Sequence, residues 1–307
     1  MNTFDNKLQK IIYKNLLRTS VHDIIKNNYE EFLEILNSEY CDENLLMCKN
    51  SNSQNVLMYA LECKNNIKDI INSKHCTEKV LLDSDKNGAN IFMCACLHNS
   101  ELTKYILNSK YFTEKVMHNT NNNKANPLLY AVHNEQDSLS TQYILESEHC
   151  SIYLLQGVHY PFIGACIHNS DSAKLILKSK YYTKKMLSEK NDTDSTPLMY
   201  ACRNQPKVVE YMLQLDDLTE EDVLYKNKEG MNSVMYLCQY QPEFIHFFER
   251  SKYMSAIISD FKRNVGCHLK LYYYYKHYLY YRLCVTSRPI VFEADNVLLN
   301  DYDRKDN

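Results

Sequence analysis

Cysteine and histidine are the residue types in this chain whose spacing could support chemistry. Cys94 and Cys96 are separated by one residue, whereas a redox or zinc pair needs Cys-x-x-Cys spacing. His98 and His168 each precede an asparagine, so they could in principle share a metal ion. The repeats described below place them two units apart, about 20 Å at ordinary helix packing distances, whereas metal–nitrogen bonds are about 2 Å long. We therefore expect no metal site and no cysteine–histidine nucleophile pair.

Nucleotide chemistry is not indicated either. The chain contains no P-loop and no Gly-x-Gly-x-x-Gly motif, and its five glycines leave little material for a phosphate-binding loop. The sequence thus predicts no catalytic residue, no cofactor and no small-molecule substrate. Any activity must then lie in the surface that the fold presents.

A repeat of 34–36 residues organises most of the chain. Each unit begins with an opener that precedes an apolar block, and an anchor residue follows five positions later. The openers are Asn55, Asn90, Asn126, Tyr160, Thr196 and Asn232. The anchors are Ala60, Ala95, Ala131, Ala165, Ala201 and Leu237. A fixed period of this length predicts a solenoid whose units contact only their neighbours.

Each unit is predicted to be a helical hairpin followed by a third helix of one turn. Asparagine and threonine openers are good N-caps, and proline is well tolerated at the first helical position. The prolines at this position are Pro127, Pro161 and Pro197. The residues expected to end the first helix in a left-handed conformation are Asn99, Asn169 and Asn204. The residues expected to cap the third helix are Thr77, Thr113 and Thr183.

The unit resembles the ankyrin repeat, whose loop-to-helix motif is Asp-x-x-Gly-x-Thr-Pro-Leu-His-x-Ala-Ala. The matching residues in two units are Asp85, Gly88, Asn90 and Ala95, and then Thr196, Pro197, Leu198 and Ala201. Over about residues 20–252 the resemblance implies an all-α, ankyrin-type helical-hairpin solenoid that binds other proteins. The period is longer than that of the family, and its histidine is replaced by Met58, Met93, Leu129, Ile163, Met199 and Met235. The abundance of Asn, Lys, Ile and Tyr and the absence of Trp are similar to ankyrin proteins of large DNA viruses.

The repeat divides the chain into three segments. These are an N-terminal helix at 1–19, a solenoid at 20–253 with a divergent first unit and six repeats, and a helical C-terminal cap with an acidic tail at 254–307. In the divergent unit, Ser20 is expected to cap a short helix, and Tyr29–Leu36 to form the next.

The repeat that begins at Tyr160 is irregular. It has no capping side chain at its opener, and Gly164 lies within its first helix, where glycine is unfavourable. We expect the least stable joint of the stack there.

Residues 266–284 are predicted to form a tyrosine-rich helix. One face of it carries Cys267, Leu271, Tyr274, Tyr278 and Tyr281. This helix could cap the last repeat, with its hydroxyls in water. Alternatively, tyrosines interleaved with Lys and Arg could form a docking surface for bases or for a protein. Both interpretations stay open.

Composition points to a reducing compartment. Cys96, Cys166, Cys202 and Cys238 each follow an anchor, which indicates buried thiols rather than disulfides. Reduced thiols are typical of cytoplasm or nucleus. A net charge of −3 favours neither nucleic acid nor membrane, and no apolar stretch approaches the ~20 residues of a membrane span.

The expected function is non-enzymatic binding of an unidentified protein partner. By the ankyrin resemblance, the contact residues lie on a concave face made of loop tips and first-helix ends. They are Lys86, Asn87, Ala89, Leu97, His98, Asn122, Asn123, Ala125, His133, Val158, His159, His168, Thr193, Ser195, Arg203, Lys228, Glu229, Met231, Gln239 and Tyr240.

Two alternatives involve the C-terminal segment. Viral ankyrin proteins similar to this chain often carry a C-terminal box that recruits a host ubiquitin ligase, which would make the chain a substrate adaptor. No recognisable box motif occurs in 254–292. The basic, tyrosine-rich helix could instead bind RNA.

Overall fold

The computed structural model of the chain describes residues 3–156 and 160–264. Within these ranges the secondary structure is helical, apart from one isolated β-bridge between Ser84 and Asn90. The prediction of an all-α chain is therefore confirmed. None of the helices in the described part is long and apolar enough to cross a membrane.

The chain divides into two units, Met1–Ser255 and Ala256–Asn307. The first unit begins with three helices, α1 (Thr3–Asn27), α2 (Tyr29–Asn37) and α3 (Glu43–Leu46). The last described helix is α19 (Met254–Asn264). The tyrosine-rich segment 266–284 and the acidic tail lie outside the described residues.

Six hairpins follow the N-terminal helices. Their first helices are α4 (Val56–Glu62), α7 (Ile91–His98), α10 (Pro127–Val132), α12 (Pro161–His168), α14 (Pro197–Asn204) and α17 (Ser233–Tyr240). Their second helices are α5 (Lys68–Asn72), α8 (Ser100–Leu107), α11 (Leu139–Glu146), α13 (Ser170–Lys178), α15 (Pro206–Leu213) and α18 (His246–Glu249), the last preceded by a 3-10 turn at Pro242–Phe244.

A short third helix closes five of these repeats. It is α-helical in α6 (Glu78–Leu82), α9 (Glu114–Met117) and α16 (Glu220–Leu224), and a 3-10 turn at Ile152–Leu154 and Lys184–Ser188. Each first helix packs against the first helix of the next repeat, and from α8 onward the second helices do the same. The result is two layers of helices, as a helical-hairpin solenoid requires.

Burial of the anchors holds the first-helix layer together. All six anchor residues are fully inaccessible to solvent, and so are Cys96, Cys166 and Cys202, while Cys238 is also buried. Burial raises the pKa of the Cys238 thiol to about 12. The ten cysteines of the described part are free thiols. The core role predicted for the four cysteines that follow the anchors is confirmed.

Asparagine side chains begin most of the first helices. Asn55, Asn90, Asn126 and Asn232 each accept a hydrogen bond from the backbone N–H three residues on, at 2.9–3.0 Å. Thr196 does the same at 3.4 Å. Tyr160, by contrast, has φ 41° and makes no capping bond. The predicted caps of the first helices and the absence of a cap at Tyr160 are confirmed.

Thr77 also caps α6, by accepting from Val80 N at 3.4 Å. The prediction that Thr113 and Thr183 are caps is wrong, since neither makes a capping bond and the Thr113 hydroxyl donates to Glu78 instead.

Two further predictions about helix ends are wrong. Asn99 and Asn169 are extended, with φ −155° and −147°, and their side chains cap α8 and α13. Asn204 is the last residue of α14. Asn99 is the only residue between α7 and α8, and Asn169 is the only one between α12 and α13. Each therefore caps the second helix of its hairpin instead of ending the first helix in a left-handed conformation. Ser20 is not a cap either, because it lies inside α1 and donates to the Leu16 carbonyl.

Three tyrosines that each directly follow a Ser-Lys pair in the sequence join neighbouring repeats. The hydroxyls of Tyr111, Tyr181 and Tyr253 donate to the carbonyls of Ser73, Cys150 and Leu218 in the preceding repeat, at 3.1, 2.8 and 2.6 Å. Each bond satisfies a carbonyl in the connection between the second and third helices, so the stacking is polar as well as apolar.

The buried Asn126 cap should be important for stability. Its Oδ1 accepts from Leu129 N at 2.9 Å and its Nδ2 donates to the Leu154 carbonyl at 2.7 Å. We expect Asn126→Ala to lower the free energy of unfolding by about 2–3 kcal/mol, since both bonds are lost. Urea denaturation measures this loss. The control is Asn87→Ala at an exposed site, expected within about 0.5 kcal/mol of wild type. Equal losses in the two variants would contradict the assignment.

Glu189 is a half-buried carboxylate that lacks the lysine found beside the equivalent carboxylate of another repeat. In the equivalent pair, Lys49 Nζ lies 2.8 Å from Asp83 Oδ1 of the next repeat. Leu154 occupies the position of that lysine before Glu189, and Glu189 Oε2 is buried without a hydrogen bond. Burial raises the pKa of Glu189 to about 7, although Lys185 opposes the shift.

This predicts a pH-dependent loss of stability. The pKa of Glu189 in the folded state lies above the ordinary value of 4.5. The stability gained from its protonation is therefore fully present below pH 4.5 and is lost as the pH rises through about 7. We expect Glu189→Gln to stabilise the chain by about 1–2 kcal/mol near pH 8, after solvent screening, and much less near pH 5. Asp83→Asn, which breaks a paired carboxylate, should instead destabilise it. Thermal melts across this range measure both, and a Glu189→Gln effect independent of pH would refute the interpretation.

Candidate partner-binding face

Five loops of the same construction precede the first helices of the regular repeats. They are residues 50–54, 85–89, 121–125, 191–195 and 227–231. In each, Oδ1 of the first residue accepts from the backbone N–H groups of the third and fifth residues, at 2.8–3.1 Å. The fourth residue has positive φ, between 58° and 80°. We call these loops, together with the C-terminal ends of the first helices, the loop face.

The loop backbone is rigid because its own side chain satisfies it. An Asn or Asp at the first position can accept two amides that a tight turn would otherwise leave unpaired. The sequence at the corresponding position before Tyr160 is Leu155, which has no such acceptor. The loop construction therefore depends on one polar residue in each repeat.

Backbone hydrogen bonds link consecutive loops. Asn122 N donates to the Asn87 carbonyl at 3.0 Å, and Lys228 N donates to the Thr193 carbonyl at 3.2 Å. Side chains reinforce the links: Asn122 Nδ2 reaches the Lys86 carbonyl at 3.1 Å, and Lys228 Nζ reaches the Asp192 carbonyl at 2.7 Å. Loops joined in this way hold their exposed side chains in a fixed order.

A row of tyrosines lies behind the loops, and the sequence analysis missed it. The members stand four residues after an opener: Tyr59, Tyr130, Tyr200 and Tyr236. Three of them accept a hydrogen bond at 2.7–3.0 Å from Nδ2 of the first loop residue, in the pairs Asn121–Tyr130, Asn191–Tyr200 and Asn227–Tyr236. Burial raises the pKa of Tyr130 and Tyr236. The constant spacing of nine residues between Asn and Tyr was the signal available in the sequence.

The ends of the first helices carry rings and a guanidinium. The His133 and His168 rings contact each other at an interplanar angle of 34°, with their centroids 4.3 Å apart, and His168 Nδ1 lies 3.3 Å from Glu135 Oε1. The Arg203 guanidinium lies 4.8 Å from the centre of the Tyr240 ring. Each of these two contacts bridges neighbouring repeats at the ends of their first helices.

The structure places most of the predicted contact residues on the surface. The exposed ones are Lys86, Asn87, His98, Asn122, Asn123, Thr193, Arg203, Lys228, Glu229, Gln239 and Tyr240. Partly exposed are Leu97, His133, His168 and Met231. Val158 and His159 lie outside the described residues.

Three predicted contact residues are buried, which corrects the expectation that they are available to a partner. They are Ala89, Ala125 and Ser195, with 5%, 8% and 3% of their surface exposed. The fifth loop position folds back, and its N–H donates to the first loop residue. Ser195 Oγ also accepts from Asn227 Nδ2 at 2.9 Å.

The face offers no catalytic arrangement among the described residues. Cys96 is in the core, Cys94 is partly buried, and both are free thiols. Burial raises the pKa of Cys94 to about 11, which disfavours the reactive thiolate. In the described ranges no group of three His, Cys, Asp or Glu residues could hold a metal ion.

Comparison with known proteins adds a family match. The ankyrin-repeat family model matches residues 193–228, from one loop of the loop face to the next. With this match, the repeated three-helix architecture is an all-α, ankyrin-type solenoid. No curated protein matches the chain.

Two solved structures are similar to the chain. One is the ankyrin repeat domain of Bcl-3, of the IkappaB protein family, at 16% identity and TM-score 0.49, covering 78% of this chain and 96% of that one. The other is a chain from the complex of the Bd0816 predatory endopeptidase of Bdellovibrio bacteriovorus with immunity protein Bd3460, at 19% identity and TM-score 0.42. That match covers 56% of this chain and 86% of the other.

Two glycines at the same loop position test the loop geometry. Gly88 and Gly230 have φ of 80° and 75°. A Cβ on Gly88 would lie 2.5 Å from Asn122 Oδ1 and 2.6 Å from Asn122 N, whereas a Cβ on Gly230 meets nothing within 4 Å. We expect Gly230→Ala to cost about 1–2 kcal/mol from backbone strain alone. Gly88→Ala should cost about 2–4 kcal/mol, because it also separates two loops. Urea unfolding measures both, and equal costs would show that the link between loops is weak.

Proposed function

We propose that this chain is a non-enzymatic scaffold that binds a partner protein on its loop face. The observation that carries the proposal is that exposed side chains stand on loops whose backbones are already fixed by internal hydrogen bonds. A surface that is ordered before binding loses little conformational entropy when a partner arrives. A fixed loop backbone is therefore suited to specific contact.

The chemistry of the face also suits a protein partner. Tyr and Arg are enriched among the residues that contribute most to protein interfaces. Here Arg203 and Tyr240 are exposed and in mutual contact. Positive side chains at Lys86 and Lys228 alternate with acidic ones at Asp192 and Glu229, so neither sign of charge dominates the exposed loop tips. A mixed, aromatic surface of this kind fits a folded protein better than a polyanion.

Solenoid geometry supports the same conclusion. Units that contact only their neighbours leave one edge of every repeat available, and the edges line up along the stack. The predicted contact residues that are not buried extend from the Asn90 repeat to the Asn232 repeat. A partner could therefore touch several repeats at once, with a contribution from each.

The proposal extends to the compartment in which the chain acts and to its resemblance to viral proteins. Free thiols at the ten described cysteines support a reducing compartment, which is the cytoplasm or nucleus. Similarity to ankyrin proteins of large DNA viruses is supported by composition. The ligase-adaptor and RNA-binding alternatives depend on residues after 264, and nothing in the described part of the chain favours either over the loop face.

The test compares two variants that each lose three positive charges. The first is Lys86→Ala, Arg203→Ala and Lys228→Ala on the loop face. The second is Lys68→Ala, Lys104→Ala and Lys178→Ala on the second helices. As with Arg203, each of these lysines lies over a tyrosine ring of the neighbouring repeat, at 5.0–5.5 Å. The change in charge is thus the same in the two triple variants, and the second-helix variant loses three cation–π contacts where the loop-face variant loses one.

We expect the loop-face variant to bind partners at least about tenfold more weakly, because contact side chains of the interface are removed. Quantitative pull-down from cell lysate, followed by titration of each retained protein, measures the effect. The second-helix variant should bind normally, and thermal melts should show that both triple variants remain folded. Partners that bind the loop-face variant at full strength, or that are lost only with the second-helix variant, would place the interface elsewhere.

A further inference from the structure

Asn87 and Gly88 form the only Asn–Gly sequence in this chain. Asn87 is exposed at the tip of the loop 85–89. We propose that Asn87 is a site of spontaneous deamidation, at which the loop face changes its chemistry without an enzyme. The proposal concerns the residue itself and holds whether or not the loop face binds a protein.

The reaction uses groups that are adjacent in the loop. The backbone nitrogen of Gly88 gives up its proton and attacks Cγ of Asn87, forming a C–N bond. The bond between Cγ and Nδ2 breaks, and the amide leaves as ammonia with that proton. Water then opens the resulting succinimide at either carbonyl. The net change is asparagine plus water to aspartate or isoaspartate plus ammonia.

Two features of the loop favour the attack. Gly88 has no Cβ, so its nitrogen is less hindered than that of any other residue type. The Asn87 carboxamide makes no hydrogen bond within the described part of the chain, whereas Asp85 Oδ1 and Asn122 Nδ2 are both bonded. The electrophilic group at Asn87 is therefore free to rotate towards its neighbour.

Two backbone hydrogen bonds restrain the reaction. Gly88 N donates to the Asp85 carbonyl at 3.0 Å, and the Asn87 carbonyl accepts from Asn122 N at 3.0 Å. The loop must open locally before Gly88 N can attack. Exposed loops held by a few hydrogen bonds open at far lower cost than the core. The rate of deamidation then reports how often this loop opens.

The next repeat contains a structural control. Asn123 occupies the same loop position, and its N–H donates to Asn121 Oδ1 at 2.9 Å as that of Asn87 does to Asp85. Lys124 follows it with φ 63°, and Lys124 N donates to the Asn121 carbonyl at 2.9 Å. The backbone conformation and these two loop hydrogen bonds match, while the attacking residue carries a side chain in one loop and none in the other.

The product would alter the loop face in two ways. A new carboxylate beside Asp85 takes the formal net charge from −3 to −4. In isoaspartate the main chain runs through Cγ, so the carbonyl that accepts from Asn122 N is displaced. The link between the loops 85–89 and 121–125 would then be weakened at an exposed position.

The experiment incubates the full chain at mildly alkaline pH and follows each asparagine by peptide mapping with mass spectrometry. We expect Asn87 to convert at least about tenfold faster than Asn123, with both aspartate and isoaspartate as products, because only Gly88 lacks a Cβ. Lys124→Gly creates a second Asn–Gly in the same geometry, and glycine accepts the positive φ there without strain. In that variant Asn123 should convert as fast as Asn87.

Three results would overturn the proposal. Asn87 could stay intact in the folded chain while it converts in the urea-unfolded chain, which would show that the loop does not open. Equal conversion of Asn87 and Asn123 in the wild-type chain would show that glycine is not the cause. Lys124→Gly could also leave Asn123 unchanged. Anion-exchange chromatography, which separates the more acidic product, gives an independent readout.

Discussion

The fold depends on pairing the backbone N–H groups at the start of each first helix and in the loop before it. A stack of short helices multiplies helix ends, and every buried end carries unpaired amides that would destabilise the core. This chain places an Asn, Asp or Thr at both critical positions of its regular repeats. The opener caps the helix, and the first loop residue accepts two amides of the turn. The abundance of asparagine is therefore a structural requirement of the solenoid.

The same bonds separate the loop face into structure and contact. The side chain of the first loop residue is bonded to the backbone, and the fifth residue is buried in the loops 85–89, 121–125 and 191–195. The second and third residues therefore face outward. This explains why Ala89, Ala125 and Ser195 are unavailable while Lys86, Asn122 and Lys228 are exposed. A partner could select on the exposed positions, and they can vary without loss of the loop.

Period and polar caps could be predicted from the sequence because they depend on neighbours along the chain. The anchors, the asparagine openers and the prolines of the first helices are all local signals. The extended Asn99 and the contact between His133 and His168 depend on where a second helix or the next repeat lies. Spacing alone does not fix those contacts. The burial of the fifth loop position was missed because the loop folds back on its own first residue.

The Tyr160 repeat shows what happens when the required residues are replaced. Leu155 removes the loop acceptor and Tyr160 removes the cap. Leu154 of the preceding repeat leaves Glu189 without a counterpart of the lysine that pairs with Asp83. Gly164 has a different role from the one expected for a helical glycine. A Cβ placed on Gly164 would lie 3.2 Å from side-chain atoms of both Leu129 and Val132. Glycine therefore lets α12 approach α10 closely. Apolar contact therefore takes over where polar pairing is lost. The first helices pack closely at Gly164, and above neutral pH the half-buried Glu189 carboxylate is expected to oppose folding of this repeat.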